Sequence, residues 1–243
     1  NTREIVLTGV NIGDFGKGSN ETFIDLIQRL DTLDELDRIR ISSIEPNLLT
    51  NDIIEFCAGS QKFMPHFHVP LQSGSDKILS AMRRRYKRSL YEDRVTKIKS
   101  AIPDAYIGVD VIVGFPGESH DDFLDTYNFL NEIDISYLHV FTYSERYDTA
   151  ANKMNKEVSR EIRAERSRML HILSEKKRRY FQDQFIKRER PVLFEHMKNG
   201  KIIGHTDNYI KVKVDYCPNL INTIQTVRLT INYGDNMYGT LFD

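Results

Sequence analysis

The sequence has few cysteines, no long apolar run and no excess of charge of one sign, and each absence excludes a class of protein. Its two cysteines, Cys57 and Cys217, are too few for a disulfide scaffold and form no paired metal-ligand motif. No run approaches the ~18 apolar residues that span a bilayer, and no signal-peptide pattern opens the chain, so we expect a cytoplasmic protein without membrane association. The formal net charge of −1 excludes the global basic field of many nucleic-acid binders.

The charge is nevertheless unevenly distributed along the chain. Residues 160–190 contain eleven Lys and Arg against five Asp and Glu, whereas residues 191–243 contain five of each. This distribution predicts an acidic body, a basic helical connector and a neutral tail. A solvated helix whose charges only maintain solubility is an equally good interpretation of the basic run taken alone.

The first 145 residues or so alternate between strand-like and helix-like patterns. Strand-like runs begin near Glu4, Arg38, His66, Tyr106 and Tyr137, at intervals typical of strand-plus-helix units. Such units build parallel sheets, so we predict an α/β fold, either an open doubly wound sheet or part of a barrel. In both cases the functional site lies at the carboxyl ends of the strands.

Helix starts can also be located from the sequence. The pair Ser89 and Glu92 predicts a capping box, in which each side chain satisfies a free backbone donor of the first turn. Ser119 precedes an amphipathic stretch in the same manner.

The last third of the chain predicts a long helix followed by short strands. One helix is expected from Ser159 to about Ile186, and five short runs separated by turn signals follow from residue 191. About 50 residues with five short strands suit a small antiparallel barrel. We therefore predict three segments, residues 1–158, 159–190 and 191–243.

The first candidate site is the glycine-rich loop Gly9–Gly18, between a strand and a helix. It fits neither the P-loop nor the dinucleotide-binding fingerprint. Its glycines still allow close approach of a ligand to the backbone, and Asn11 could accept a hydrogen bond from a ligand amine. An ordinary flexible loop is the alternative.

A second candidate is the pair His66 and His68, which share one face of a strand, as in metal-dependent barrel hydrolases. His139 and Asp110 could complete such a metal site. We favour the alternative, in which these histidines pack inside the sheet and bond to neighbours, because the strand continues to Pro70.

Two further turns follow predicted strands. Pro70–Ser75 offers amide and hydroxyl groups at the start of a helix, where an anionic group is favoured. The cluster Met82–Arg88 supplies arginines that could clamp a carboxylate or meet phosphates, or could simply be solvated. Gly114–Ser119 predicts a rigid turn, four residues after Asp110, and Tyr143–Arg146 follows the last strand.

Taken in order, several segments resemble one known family. TGVNIGDFG, SSIEP, HFHVPLQSGSDKILSAMRRRY, DVIVGFPGES and HVFTYSERYDTAA are similar to radical-SAM tRNA methylthiotransferases. SSIEP and HVFTYSER resemble the MtaB branch, which acts on threonylcarbamoyladenosine beside the anticodon, more than the MiaB branch, which acts on isopentenyladenosine. The tail around GHTDNYI resembles the TRAM domain, a small RNA-binding β-barrel.

The resemblance implies a six-stranded partial (β/α) barrel that uses S-adenosylmethionine and 4Fe–4S clusters. In the family a reduced cluster cleaves S-adenosylmethionine, the resulting radical takes hydrogen from adenine, and sulfur is inserted and methylated. The CxxxCxxC loop and the auxiliary-cluster domain of the family do not occur in this sequence, which begins at Asn1 on a strand-like run. We therefore expect a C-terminal portion that lacks the first barrel strand and is inactive alone.

The resemblance also implies roles for individual residues. Gly9 and Asn11 would face the methionine amino group of the cofactor. The expected cofactor-binding set, which adds contacts to its carboxylate, ribose and adenine, is Gly9, Asn11, Gln72, Ser73, Arg84, Asp110, Gly114, Phe115 and Pro116.

The tail predicts contacts with a tRNA anticodon arm. Lys201, Lys211 and Lys213 would attract phosphates and Tyr209 would stack on a base, and Lys211 and Lys213 share one strand face. Three hypotheses remain open at this point: a methylthiotransferase of either branch, a metal-dependent hydrolase, and an RNA-binding module without catalysis.

Overall fold

The computed structural model describes residues 2–145, 151, 154 and 157–242, and in the first part of these residues strands and helices alternate. In chain order the elements are β1 (Glu4–Leu7), α1 (Phe23–Asp31), β2 (Arg38–Ile41), α2 (Asn51–Gly59), β3 (His66–His68), α3 (Asp76–Ala81), α4 (Arg88–Ala101), β4 (Tyr106–Val113), α5 (His120–Glu132) and β5 (Tyr137–Thr142). All five strands begin at the predicted residues.

These five strands run parallel and follow one another in chain order. β1 pairs with β2, and β4 lies between β3 and β5. A bridge from Ile39 to Phe63 joins β2 to the segment just before β3. The predicted parallel α/β fold is confirmed, and every strand ends at the same side of the sheet, which we call the carboxyl edge.

The two faces of this sheet differ in chemistry because successive side chains of a strand point to opposite sides. One face carries fully buried residues such as Ile39, Phe67 and Val109, and the helices that alternate with these strands contribute to the main hydrophobic core there. The other face, which we call the inner face, is contacted by the long helix that follows β5, whose Phe181 meets the Tyr106 ring edge-on. It is lined by Glu4, Val6, Arg38, Arg40, His66, His68, Tyr106, Gly108, Asp110, Ile112, Tyr137, His139 and Phe141.

The helices that alternate with the strands contribute to the core on one face of the sheet, which is typical of part of a barrel, whereas a doubly wound sheet carries such helices on both faces. Val6 and Phe141, on the outermost strands, stay half exposed on the inner face. The fold is therefore that of a partial (β/α) barrel.

One predicted helix start is wrong. Helix α4 begins at Arg88 with Lys87 as its N-cap residue, so Ser89 lies inside the first turn. The carboxylate of Asp76 accepts a hydrogen bond of 2.8 Å from the Arg88 N–H, so a residue of the preceding helix supplies the cap. The start at Ser119 is confirmed, with a capping box to Asp122.

The last third of the chain forms a long helix and a closed barrel. Helix α6 (Arg160–Asp183) starts after the N-cap Ser159, as predicted. The barrel strands are β6 (Glu189–Lys198), β7 (Lys201–Thr206), β8 (Lys211–Asp215), β9 (Ile224–Asn232) and β10 (Met237–Leu241), joined in the order β10-β8-β7-β6-β9.

This small barrel differs from the expected antiparallel one at a single seam. β8 and β10 pair in parallel through Val212–Met237 and Lys213–Tyr238. They run in the same direction because β9, which lies between them in the chain, runs antiparallel to β10. The barrel has its own core, which includes Phe194, Val212 and Leu229. No helix among the described residues is long and apolar enough to cross a membrane.

Candidate functional site

The loop after β1 places one free acceptor at the carboxyl edge. The Asn11 side-chain amide donates a hydrogen bond of 2.9 Å to Asp14, which fixes the orientation of the Asn11 side chain. Its Oδ1 is buried and has no partner among the described residues. Gly9, two residues earlier, is exposed. Asn11 thus keeps an acceptor that suits the amino group of a ligand.

The turn after β3 separates two residues that the sequence grouped together. Gln72 has a positive φ of 71°, and its N–H donates to the Asp110 carbonyl at 2.8 Å. Ser73 is fully buried instead, and its hydroxyl lies 3.3 Å from that of Thr126 on α5. Gln72 therefore lies beside β4 at the site, whereas Ser73 anchors the turn to a helix.

Arg84 reaches the carboxyl edge in an ion pair that the sequence reasoning did not identify. Its guanidinium donates to Glu45, which follows β2, at 3.1 Å. The Arg84 Nε is buried without a partner among the described residues. Glu45 belongs to the SSIEP segment, so that segment contained the signal for this pair.

The turn after β4 is held rigidly against α6. Gly114 has a φ of +76°, and a Cβ added there would lie 2.3 Å from Cγ of Arg163. Its N–H donates to the Glu118 carboxylate at 2.7 Å, and Glu118 forms a buried ion pair with Arg166. Burial raises the pKa of the Glu118 carboxyl, whereas the Gly114 N–H and the Arg166 guanidinium lower it.

Phe115 and Pro116 of the same turn are both buried. The Phe115 ring meets that of Tyr143 edge-on, with 5.6 Å between centroids. The predicted segment Tyr143–Arg146 is thus in contact with the turn through its first residue, while Arg146 lies outside the described residues.

The middle of the inner face carries a cluster of three polar side chains, His68, Asp110 and His139. Their ligand-type atoms lie within 4.8 Å of one another. His68 Nε2 is 2.8 Å from the Asp110 carboxylate, and His68 Nδ1 is 3.1 Å from the Ser42 carbonyl. Both ring nitrogens of His68 are therefore engaged by oxygen atoms of the chain.

His139 is the exposed member of this cluster. Its Nε2 lies 3.2 Å from the Tyr137 hydroxyl. Partial burial and the neighbouring His68 lower the pKa of His139, whereas Asp110 raises it. Gly108 leaves room here, since a Cβ at that position would lie 2.4 Å from the Tyr137 ring.

His66 does not join this cluster, contrary to the metal-site hypothesis that paired it with His68. Its ring stacks on Tyr209 of the small barrel, with centroids 4.2 Å apart, and neither nitrogen has a hydrogen-bond partner within the described part of the chain. Burial, aided by the charge of Arg40, holds the pKa of His66 well below its ordinary value. A hydrolase built on His66 and His68 is therefore not favoured.

Two inner-face arginines hold the small barrel against the sheet. Arg40 donates to Glu4 at 2.8 Å and to the carbonyls of Thr206 and Asp207 at 2.8 and 2.7 Å. Arg38 donates to the carbonyls of Pro191 and His205 at 2.9 and 3.2 Å. Sequence reasoning missed both, although arginines alternating with isoleucines in a buried strand were the available signal.

Tyr209, predicted to stack on RNA, is engaged within the chain at this interface. Besides His66, its ring lies 4.9 Å from that of His205 and 5.0 Å from the Arg40 guanidinium. Its φ of 68° directs the loop before β8 towards the sheet.

The three predicted lysines lie together on the outside of the small barrel. Lys211 and Lys213 alternate with the buried Val212 and Val214, so they share one face of β8. With Lys201 and Tyr238 they line a groove of about 320 Å³, which we call the lysine groove. Lys201 is paired with Asp215, and its ammonium lies 5.5 Å from the Tyr238 ring.

A second cleft, also of about 320 Å³, lies between the sheet, α6 and the small barrel. We call it the junction cleft. It is lined by His139 and Tyr137 of the inner face, by Arg178 of α6, and by Tyr209 and Lys211 of the small barrel. Lys211 also lines the lysine groove, and His139 belongs to the polar cluster, so the cleft borders on both.

The two cysteines lie away from the carboxyl edge. Cys57 is buried in α2, where burial raises the pKa of its thiol to about 12, and Cys217 follows β8 in the small barrel. An iron–sulfur cluster needs several thiolates that converge on it. The residues described here do not fit such a cluster.

Comparison with known proteins gives a consistent result. The family model of the radical SAM superfamily matches residues 1–130. The chain is 38% identical to threonylcarbamoyladenosine tRNA methylthiotransferase MtaB of Bacillus subtilis (strain 168), over 93% of this chain and 52% of that protein. It is 35% identical to tRNA-2-methylthio-N(6)-dimethylallyladenosine synthase of Endomicrobium trichonymphae, over 96% of this chain and 57% of that protein. The resemblance to these methylthiotransferases is confirmed.

Among solved structures, coproporphyrinogen III oxidase HemN from Escherichia coli, a radical SAM enzyme, matches with a TM-score of 0.54 at 11% identity. The match covers 90% of this chain and 56% of that one, and it supports the fold alone. The chain spans about half the length of the curated relatives it matches.

Proposed function

The chain belongs to the radical SAM superfamily, and on that premise we propose that it is the cofactor- and RNA-binding part of a tRNA methylthiotransferase. The proposed substrate is threonylcarbamoyladenosine beside the anticodon, as in the name of the Bacillus subtilis relative. The proposed setting is the cytoplasm, where tRNA is modified. The observation that carries the proposal is the pair of buried, unpartnered polar atoms at the carboxyl edge, Asn11 Oδ1 and Arg84 Nε.

These two atoms have opposite hydrogen-bonding roles, as the amino-acid end of S-adenosylmethionine requires. Asn11 Oδ1 would accept from the ammonium group, and the Arg84 guanidinium, oriented by Glu45, would donate to the carboxylate. When bound, S-adenosylmethionine supplies the adenosyl radical and the methyl group of the reaction. Gln72 and the turn formed by Gly114, Phe115 and Pro116 would pack against its nucleoside, and Ser73 would support the Gln72 turn from behind.

Cys57, buried in α2, and Cys217, after β8, do not fit the iron–sulfur cluster that would cleave S-adenosylmethionine. We propose that residues outside this sequence supply its thiolates, and that this chain alone binds its ligands without turning them over.

RNA binding is assigned to the small barrel, which we propose to be a TRAM domain. The lysine groove offers Lys211 and Lys213 to phosphates, with the Tyr238 ring beside them for stacking. Tyr209 would hold the barrel in place, because its ring is already stacked on His66. The basic helix α6 would extend the positive surface.

Cofactor binding can be tested by calorimetry with S-adenosylmethionine and the 243-residue chain. Asn11→Ala and Arg84→Ala should each weaken binding about tenfold, since each removes a hydrogen bond to a charged group. Asn20→Ala, an exposed position in the loop that contains Asn11, is the matched control and should bind like the unchanged chain. Equal affinities for all four proteins would contradict the proposed cofactor site.

RNA binding can be tested through its salt dependence. The double variant Lys211→Ala with Lys213→Ala should lower the slope of log affinity against log salt by roughly 1.4, since each phosphate contact on a single strand contributes about 0.7. Lys97→Ala on α4, whose side chain pairs with Asp93, removes a charge outside the groove and should leave the slope unchanged. If the double variant has the same slope as the unchanged chain, the lysine groove does not bind RNA phosphates.

A further inference from the structure

We propose that His68, Asp110 and His139 recognise the substituent on N6 of the target adenosine and select a polar threonylcarbamoyl group over an apolar dimethylallyl group. This inference rests on the proposed function. It identifies residues that would distinguish threonylcarbamoyladenosine from dimethylallyladenosine, the two nucleosides that the names of the relatives contain.

The position of the cluster supports this role. Asp110 uses its carbonyl to hold Gln72 at the carboxyl edge and its side chain to hold His68 on the inner face. It therefore connects the proposed cofactor site directly to the cluster. A reacting adenosine must contact the cofactor at that edge, while its RNA chain is held at the lysine groove. The junction cleft is bordered by His139 of the cluster and by Lys211 of the lysine groove, so the cluster lies between the groove and the carboxyl edge.

The chemistry of the cluster fits a polar substituent. A threonylcarbamoyl group presents a carboxylate, a hydroxyl and a urea, which need donors and an acceptor. His139, the Tyr137 hydroxyl, Arg178 and Lys211 all lie along the junction cleft, and Asp110 can accept from the urea N–H. A dimethylallyl group offers no hydrogen bond, so it would desolvate the His68–Asp110 pair without compensation.

A divalent metal ion is the other ligand that two histidines and a carboxylate can take. The contacts of His68 disfavour it. Both His68 nitrogens already contact oxygen atoms, at 2.8 and 3.1 Å, so a metal ion could bind His68 only by displacing one of these contacts. His139, exposed and directed to the cleft, is the member that remains available to a substrate.

The test compares three anticodon stem-loop RNAs that differ only at the adenosine beside the anticodon: threonylcarbamoylated, dimethylallylated and unmodified. The unchanged chain should bind the threonylcarbamoylated RNA at least about tenfold more tightly than the dimethylallylated one, since a hydrogen bond to a charged group separates them. His139→Phe should abolish that preference and leave affinity for the unmodified RNA unchanged. His120→Phe, at an exposed position on α5, is the matched control and should keep the preference.

Each other result has a definite meaning. Equal binding of the two modified RNAs by the unchanged chain, or a preference that survives His139→Phe, overturns the inference and leaves the proposed function standing. Failure to bind any of the three RNAs contradicts the proposed function itself, and the inference with it. Binding of Zn²⁺ alone that is lost in His68→Ala assigns the cluster to a metal and also overturns the inference.

Discussion

Replacing Arg40 with methionine should release the small barrel from the sheet. The Arg40 side chain is only 2% exposed and donates to Glu4 and to two backbone carbonyls of the small barrel. Methionine keeps most of the apolar stem of arginine and removes all of these donors. The change therefore isolates the polar contacts from the packing.

The magnitude follows from what is left behind. Glu4 is 15% exposed, and its second carboxylate oxygen makes no hydrogen bond among the described residues and lies 3.9 Å from the Arg38 guanidinium, so without Arg40 only this longer ion pair compensates the charge. Removing one partner of a buried ion pair costs about 3–5 kcal/mol. For a chain of this size that loss lowers Tm by roughly 6–20 °C. The exposed pair Arg29–Glu21, 74% and 49% exposed, gives a control: Arg29→Met should cost under about 1 kcal/mol.

The assay is urea unfolding followed by circular dichroism and by tyrosine fluorescence, since the chain has no tryptophan. The double variant Arg40→Met with Glu4→Gln should be more stable than Arg40→Met alone, because it removes the charge that the single variant leaves buried. If Arg40→Met loses no more stability than Arg29→Met, the ion pair does not hold the barrel and the reasoning is refuted.

Two further predictions concern stability and use the same measurements. Gly114→Ala should destabilise the chain by at least about 1 kcal/mol more than Gly117→Ala. Both glycines have a positive φ, but only at Gly114 would the new methyl group collide with Arg163. Equal losses of unfolding free energy would contradict the collision. Burial holds the pKa of His66 well below 6.5 in the folded chain, so the unfolded chain binds a proton first as the pH falls. The free energy of unfolding therefore decreases as the pH falls below about 6.5, and this loss is absent above that pH. His66→Phe should reduce that loss while the exposed His171→Phe should not, and identical pH profiles would exclude His66 as a cause.

Much of the fold could be predicted from the sequence because buried parallel strands leave a strong local signal. The side of β4 that faces the helices is formed by Val109, Val111 and Val113, and all three are completely buried. A strand that must pack against helices needs such residues whatever the rest of the chain does. The same holds for Ser119, whose cap is decided within one turn of helix.

The site could be predicted less well because its contacts join distant parts of the chain. Arg84 meets Glu45, and Arg40 meets the loop around Tyr209, through separations that no local pattern encodes. Tyr209 illustrates the difficulty. An aromatic residue among lysines on a small barrel is typical of an RNA-binding surface, and the sequence did not show that this ring also stacks on His66 of the sheet. The parallel pairing of β8 with β10 could not be predicted either, because it depends on how the barrel closes.

The inner face explains why the small barrel and the proposed cofactor site belong to one unit. A sheet face that carries two arginines and three histidines is costly to bury unless its polar groups find partners. At the amino ends of the strands the partners come from the small barrel, whose carbonyls accept from Arg38 and Arg40. Docking therefore fixes the lysine groove at a set distance from the carboxyl edge. The polar cluster in the middle is left only partly covered, with His139 exposed, and the substrate that we propose would cover it.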